Sequence, residues 1–331
     1  MPAAIVNWAD QERVLSPHVS VLVGDANGGY PSGNSIVVRG SSEAVIIDPS
    51  VTVVEKGGAP VHIDAMITSH GHEDHLPGTG LFTDARVHVH EADKHVLHDL
   101  SHMLDAYQLT GPDREELRES IITEFNFAPR PDAEGFHDGH VWNLGEVDVE
   151  AVHLPGHTAG HSGFRISEGV FFLSDIDLTG FGPYYGDTWS SLDDFENSLI
   201  KVREEEADFY VTFHQKGVIE GRERFVEMLD AYHGVIHRRH NNMLEFLAEP
   251  RSVDEMVKHR FVYRPHVEMS FCDSIEKRTA ELHLARMIER GEAAEVDAGR
   301  YQRTGSTIPA TASRYSAIRA RYPSTLVSPA L

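Results

Sequence analysis

The chain of 331 residues has a single cysteine, Cys272, and few positive charges, since 29 Lys and Arg stand against 52 Asp and Glu. One thiol can form neither an internal disulfide nor a thiolate metal cluster, which indicates a reducing compartment. The formal net charge of −23 repels phosphate backbones and anionic lipid. The composition therefore predicts no nucleic-acid partner and no membrane association.

Long apolar runs are also missing. No stretch approaches the roughly 18 apolar residues of a transmembrane helix, and residues 1–12 lack the basic-then-apolar pattern of an export signal. We therefore expect a cytoplasmic protein. The 40% hydrophobic content is ordinary for a globular chain, and at about 150 residues per domain the length predicts one large domain and one smaller one.

Short β-branched runs separated by glycine predict strands in the first part of the chain. The predicted strands cover 19–23, 35–38, 44–47, 65–68, 141–144, 147–154, 170–173 and 209–213. Between them, residues from about 91 to 136 space their apolar side chains three or four apart, which predicts a helical insertion. A further helix begins at Ser191. These elements form a predicted catalytic domain over residues 1–222.

Residues 223–303 are expected to form a small, mostly helical domain. The pattern predicts a helix over about 237–248, a helix opened by the capping box Ser252-x-x-Glu255, a helix from Ser274 to Gly291, and a hairpin of 294–296 with 301–303. This order is winged-helix-like. The last predicted helix mixes acidic and basic residues, which favours packing or homodimer formation over reading DNA. Residues 304–331 are expected to form an extended tail.

Histidine is abundant, with 22 residues, and imidazole and carboxylate are the available metal ligands. His70, His72, Asp74 and His75 lie within six residues, directly after the predicted strand 65–68. A short loop can fold these side chains toward one point. Two metal ions need roughly six or seven ligands, and the ends of other predicted strands offer three more: His157, Asp175 and His214.

This order of His-x-His-x-Asp-His, Pro-Gly-His-Thr, an Asp after an apolar strand and a last His resembles the metallo-β-lactamase-fold metallohydrolase superfamily, with hydroxyacylglutathione hydrolase-like and lactonase-like members foremost. The resemblance covers residues 15–220. It implies an α/β fold, an αβ/βα sandwich, with two divalent metal ions between its sheets. Zinc is the first expectation, with iron and manganese as alternatives.

The resemblance also implies a role for each candidate ligand. One ion would have His70, His72 and His157, the other Asp74, His75 and His214, and Asp175 would bridge them. Asp177 is the alternative bridge, because it lies on the same strand face as Asp175 if the chain is extended there. The family's usual glycine before the bridging acid is Ser174 in this sequence.

Further residues are candidates for supporting roles. Asp48 matches an acid that supports the metal loop in this superfamily, and His161 is a candidate for the same outer layer. Tyr184 and Tyr185 follow the bridging acid and are candidates for the wall of a substrate pocket. Lys216 is a candidate for holding a substrate carboxylate.

These expectations converge on a metal-dependent hydrolase. A metal-bound hydroxide would attack the ester-like bond of a small molecule (a thioester, lactone, carboxylic ester or amide), and Asp74 would also act as general acid and base. One alternative is a nuclease of the same fold, against which the acidic charge argues. Another is a non-catalytic metal-binding regulatory protein, against which the complete ligand set argues.

Overall fold

The computed structural model of the protein describes residues 3–267 and 269–305. In chain order its strands are β1 (Ala4–Ile5), β2 (Glu12–Val14), β3 (Val19–Leu22), β4 (Ser35–Arg39), β5 (Ala44–Ile47), β6 (Gly58–Ala59), β7 (Ala65–Thr68), β8 (Arg86–His90), β9 (Glu134–Phe136), β10 (Val141–Asn143), β11 (Asp148–His153), β12 (Ser162–Ile166), β13 (Val170–Ser174), β14 (Phe209–Thr212), β15 (Val218–Glu220), β16 (Ala293–Asp297) and β17 (Arg300–Arg303). The predicted tail lies outside the described residues beyond Gly305.

The helices lie between these strands, in part as runs of three. They are α1 (Asp25–Gly28), α2 (Val51–Lys56), α3 (Lys94–His98), α4 (Leu100–Ala106), α5 (Gly111–Thr123), α6 (Leu192–Arg203), α7 (Arg222–Phe246), α8 (Val253–His259) and α9 (Cys272–Glu289). Two short 3₁₀ helices cover Glu73–His75 and Pro77–Gly80. Within the described ranges, none of the helices combines the length and the apolar character needed to cross a bilayer.

Two β-sheets form the centre of the molecule. The first has the order β2-β3-β4-β5-β7-β8-β9, antiparallel from β2 to β5 and parallel from β5 onward. The second has the order β10 to β15, antiparallel except for the parallel pair β13 and β14. The predicted αβ/βα sandwich is therefore confirmed.

The central strands of the two sheets are buried on both faces. Val45 and Ile47 of β5 pack between the sheets with Phe172 of β13, whereas Ile46 points to the other face and packs under α3 and α4. This alternation follows from the two-residue period of a strand. On the far side of the second sheet, α6 contributes Phe195 to a third apolar cluster. Helices thus cover both outer faces, and the sheet edges carry the loops.

The predicted insertion is helical only over α3 to α5. Its end, Glu134–Phe136, is strand β9, which pairs in parallel with β8 at the edge of the first sheet. The expectation of helix as far as 136 was wrong there, because three residues carry too little periodicity to distinguish a strand.

The C-terminal part begins with a helix longer than predicted. Helix α7 begins at Arg222 rather than 237, and its first half packs Phe225 and Leu229 onto the second sheet. Its second half contributes Met243 to a separate cluster with Met256 and Met287. The apolar residues of α7 keep one helical period along its whole length, although the first half packs on the second sheet and the second half on the C-terminal cluster. The sequence therefore shows no boundary between the two halves. The division at 222 and the winged-helix comparison stay predictions.

Two finer predictions for this part are confirmed. The hydroxyl of Ser252 accepts a hydrogen bond from the Glu255 N–H (3.2 Å), and the Glu255 carboxylate accepts one from the Ser252 N–H (2.9 Å). Strands β16 and β17 form the predicted hairpin. The capping box starts α8 where the sequence indicates.

Candidate metal centre

The segment after β7 folds into a tight loop that turns four metal-capable side chains inward. His70 and His72 precede the 3₁₀ helix Glu73–His75, and all are at most 5% exposed. A regular helix would splay these side chains around its circumference. The irregular loop instead directs them toward the ends of β11, β13 and β14.

A first cluster contains three imidazoles. His70 Nε2 and His72 Nδ1 are 3.1 Å apart, and His157 Nε2 lies 2.9 Å from His72 Nδ1 and 3.1 Å from His70 Nε2. Asp175 Oδ2 lies 3.2 Å from His157 Nε2. Atoms that share a tetrahedral ion with bonds of about 2 Å have separations of this order. These four residues form a group able to hold a metal ion.

A second cluster lies beside the first. Asp74 Oδ2 is 3.0 Å from His214 Nε2, and the other oxygen of Asp74 is 3.8 Å from His75 Nε2. Asp74, His75 and His214 form a second metal-capable group. All seven predicted ligands are therefore brought together at one edge of the sandwich.

Asp175 faces both clusters. Its Oδ2 lies near His157, and its Oδ1 lies 3.0 Å from His75 Nε2. Asp177 belongs to neither group, although it lines the adjoining cavity. Strand β13 ends at Ser174, whose φ of 51° is left-handed, so the two acids are not related by strand alternation. The geometry favours Asp175 over Asp177 as the bridge.

Each first-cluster imidazole has a partner for its remaining ring nitrogen. The carboxylate of Asp187 accepts a hydrogen bond from His72 Nε2 (2.8 Å), and the Tyr184 carbonyl accepts one from His157 Nδ1 (3.0 Å). His70 Nδ1 lies 3.0 Å from the hydroxyl of Ser69. Such outer partners fix the tautomer and present the other nitrogen to an ion.

The second cluster is supported in the same way. Asp48 accepts hydrogen bonds from the Ser69 N–H (2.7 Å) and from His75 Nδ1 (2.9 Å), so it lies where the sequence placed it. His214 Nδ1 donates to the Gly28 carbonyl (2.9 Å). His161 Nδ1 lies 2.9 Å from the Leu154 carbonyl, and its Nε2 accepts a weak hydrogen bond from the Asp175 N–H (3.3 Å).

Two acids that sequence reasoning missed hold the loops in place. Asp187 is buried against His72, and Asp93 accepts hydrogen bonds from Gly71 N–H (3.1 Å), Thr158 hydroxyl (2.6 Å) and Gly160 N–H (2.7 Å). Asp93 thereby ties the loop of His70 to the loop of His157. Neither acid lies in a local motif. The only sequence signal for either is that Asp187 closely follows Tyr184 and Tyr185, which are candidates for the substrate pocket.

The acids give the site a strong preference for positive charge. Burial lowers the pKa of an imidazole, but Asp175 and Asp74 outweigh it and raise the pKa of His214 to about 10. Asp187 similarly outweighs burial and raises the pKa of His72 to about 9. Since a metal ion displaces such protons when it binds, the same field favours divalent cations.

A cavity of about 270 Å³ opens onto both clusters. Of the predicted substrate residues, Tyr184 and Asp177 line it. Tyr185 does not, because it is buried in the cluster beneath the second sheet and its hydroxyl lies 3.0 Å from His283 Nε2. Lys216 is exposed and is not among the lining residues. The prediction for Tyr185 was therefore wrong, since its position in the sequence does not reveal its tertiary neighbours, and the role of Lys216 stays a prediction.

A third metal-capable group lies elsewhere and consists of Glu196, His233 and His237. The Glu196 carboxylate pairs with Arg286 at 2.6 Å and lies 3.7 Å from His233 Nε2. Arg286 belongs to α9 and Glu196 to α6. This carboxylate thus joins the C-terminal part to the sandwich through an ion pair.

Comparison with known proteins identifies the family. The model of the "Metallo-beta-lactamase superfamily" matches residues 28–214, more than half of the chain, and the chain belongs to this superfamily. A curated relative, "Uncharacterized protein Rv2581c" of Mycobacterium tuberculosis, is 29% identical over 168 residues, which cover 46% of this chain and 70% of the relative.

Solved structures share the fold. The metallo-beta-lactamase family protein TTHA1429 from Thermus thermophilus has a TM-score of 0.66 at 20% identity, covering 88% of this chain and 100% of that one. A beta-lactamase domain protein from Burkholderia ambifaria has a TM-score of 0.66 at 17% identity, covering 92% and 96%. BJP-1, a subclass B3 metallo-beta-lactamase of Bradyrhizobium japonicum, has a TM-score of 0.51 at 15% identity, covering 72% and 96%.

Proposed function

We propose that the protein is a hydrolase with a binuclear metal centre that cleaves an ester-like bond of a small molecule. The observation that carries the proposal is the placement of Asp175, whose two oxygens face two separate groups of ligand atoms at the floor of one cavity. Fold membership supports it, because this superfamily is mostly hydrolytic. The substrate classes proposed are thioesters, lactones, carboxylic esters and amides.

The donor set fits two divalent ions. His70, His72 and His157 offer three nitrogens to one ion, and His75 and His214 offer two nitrogens with Asp74 to the other. Buried within the set, His75 Nε2 and Asp175 Oδ1 lie 3.0 Å apart without the geometry of a hydrogen bond, and no other hydrogen bond within the described part of the chain satisfies either atom. Nitrogen and oxygen donors without thiolate suit zinc first, and also iron or manganese.

The chain's own residues supply the remaining chemistry. Bound ions would polarise a substrate carbonyl and acidify a water in the cavity. Asp74 lines the cavity between His75 and His214, where it orients the attacking water and passes its proton to the leaving group. Such general acid and base catalysis contributes about 10²–10⁴-fold. Asp48 and Asp187 hold the histidines that surround the reacting atoms.

Elemental analysis of protein purified without added metal tests this function. We expect about two equivalents of zinc, iron or manganese per chain, fewer in His72→Ala, and an unchanged content in His62→Ala, whose side chain is 78% exposed. The loaded protein should hydrolyse at least one member of a set of thioesters, lactones and aryl esters. Failure to bind any of these metals after reconstitution, or binding without turnover of any member, would contradict the proposal.

A further inference from the structure

The cavity over the metal ligands has an aromatic and aliphatic wall from three separate parts of the chain. The insertion contributes Tyr107 and Leu117, the segment after β13 contributes Phe181 and Tyr184, and the connection between α8 and α9 contributes residues of its own. Among the described lining residues there is no Lys or Arg. An anionic tail that lies against this aromatic wall, away from the metal ligands, would therefore lose its hydration without gaining a charged partner.

The acids in this wall do not form a site for a cation either. Both oxygens of Glu73 accept hydrogen bonds from tyrosines, one from the Tyr30 hydroxyl (3.1 Å) and one from the Tyr107 hydroxyl (2.6 Å). Asp177 lies two residues from Asp175 on the ligand side of the cavity, where a bound metal ion would repel a substrate cation. Because the hydroxyl protons of Tyr30 and Tyr107 are committed to Glu73, these residues offer mainly ring surface to a substrate.

The C-terminal part contributes Tyr263, Met269 and Phe271 to the wall. Phe271 packs against Tyr107 with ring centroids 6.3 Å apart, and Tyr263 packs against Phe181 at 5.6 Å. The insertion and the C-terminal segment thus meet across the cavity. Met269 is 40% exposed.

The first residues of this segment are anchored to α9. The buried carboxylate of Glu276 on α9 accepts hydrogen bonds from three successive backbone N–H groups, those of Phe261 (2.9 Å), Val262 (2.9 Å) and Tyr263 (2.8 Å). Arg278 of the same helix donates to the carbonyl of Asp187 (3.3 Å). Helix α9 therefore positions Tyr263, which belongs to the wall, before any substrate enters.

We propose that the cavity selects an uncharged substrate with a lipophilic acyl chain or aryl group, and that Tyr263 and Phe271 of the C-terminal segment contact this group. The inference rests on the proposed hydrolase function and names its substrate class. It also gives the C-terminal part a role in specificity. Each methylene buried in such a wall raises kcat/KM by about fourfold, until the cavity is filled.

The test is a matched series of aryl esters with the metal-loaded, full-length protein. Acetyl, butyryl, hexanoyl and octanoyl esters measure the effect of length. Hexanoyl chains ending in a methyl, a carboxylate or an ammonium group measure the effect of charge. We expect kcat/KM to rise along the series and to fall by at least about tenfold for either charged terminus. A flat series, or a preference for a charged terminus, would overturn the inference.

Variants of the wall residues test whether these residues cause the preference for long acyl chains. Phe271→Ala should reduce kcat/KM for the octanoyl ester about tenfold or more, and for the acetyl ester by a much smaller factor. Met269→Ala, at a half-exposed position, should have a smaller effect of the same kind and serves if Phe271→Ala does not fold. Ile288→Ala is the control, because this α9 side chain is 45% exposed and does not line the cavity. Equal losses for short and long esters would also overturn the inference.

A binding measurement separates this inference from the proposed function. Alkyl hydroxamates of increasing chain length carry a metal-chelating head and need no turnover, and calorimetry gives their affinity. Affinity that rises with chain length and drops in Phe271→Ala, without hydrolysis of any ester, would leave the lipophilic site standing and remove the hydrolase. Hydrolysis that does not depend on chain length would support the hydrolase function and rule out the lipophilic site.

Discussion

Asp187 Oδ2 lies 2.8 Å from His72 Nε2, so a residue 115 positions away fixes the orientation of a central candidate ligand. The side chain of Asp187 is fully buried. It also accepts a hydrogen bond from the Trp189 N–H (2.7 Å), which holds the carboxylate in place. The segment that follows β13 therefore has two roles. Its residues Phe181 and Tyr184 line the cavity, and its residue Asp187 orients His72.

Asp187→Asn should weaken metal binding about 10- to 100-fold, because a neutral amide holds the His72 N–H less strongly than a carboxylate and leaves the other ring nitrogen a weaker ligand. Competition with a chromogenic chelator measures the affinity. Asp84→Asn, at an exposed position, is the control and should bind metal like the unaltered protein. An unchanged affinity in Asp187→Asn would show that His72 needs no such partner.

Asp175→Asn and Asp177→Asn should differ sharply in metal content and in kcat. Asp175 presents one oxygen to each cluster, and an amide nitrogen cannot ligate, so we expect the loss of at least one metal equivalent and a fall in kcat of more than about 10²-fold. Asp177→Asn should retain its metal. Metal content measured on both variants tests this assignment. Loss of metal in Asp177→Asn but not in Asp175→Asn would assign the bridge to Asp177.

Gly160→Ala should disturb the loop of His157. A Cβ at this position would lie 2.6 Å from Cγ of Asp93, which is the acid that joins the two ligand loops. We expect a destabilisation of about 1–3 kcal/mol, measured by urea unfolding, together with weaker metal binding. Gly180→Ala is the matched control, since nothing lies within 4 Å of its Cβ position. Equal stability of the two variants would refute the role given to this contact.

The stability of the protein should fall as the pH drops below about 6.5, in part through His283. Burial, followed by the charges of His240 and Arg286, holds the pKa of His283 well below its ordinary value. The folded protein keeps this ring neutral while the unfolded chain takes up a proton, so unfolding is favoured at low pH by up to about 1.4 kcal/mol per pH unit.

Urea unfolding at two pH values checks this expectation. His283→Gln should lose less stability between pH 7.5 and pH 5.5 than the unaltered chain, whatever its absolute stability. Comparing the change with pH, rather than the stability itself, removes the cost of losing the hydrogen bond between Tyr185 and His283. Parallel losses in the two proteins would show that His283 contributes nothing to the acid sensitivity.

Local features of the sequence were sufficient for much of this protein. The ligands of the loop 70–75 lie close together along the chain, and His157, Asp175 and His214 each follow an apolar run, so strand prediction alone places them at strand ends. The capping box at Ser252 and the terminal hairpin are equally local. Strand β9 was missed because three residues carry too little periodicity, and the early start of α7 was missed because its apolar period continues unchanged where its packing partner changes.

What the sequence by itself determined was the set of candidate ligands, through their spacing along the chain, and the sandwich fold, through the family resemblance that those ligand motifs carry. Only the tertiary structure decided that Asp175 rather than Asp177 faces both clusters, that Tyr184 lines the cavity while Tyr185 does not, and that Asp187 supports His72. A side chain's direction after a left-handed residue such as Ser174, and contacts between segments far apart in the chain, depend on packing. That packing forms only when the two sheets and the helices on their outer faces assemble.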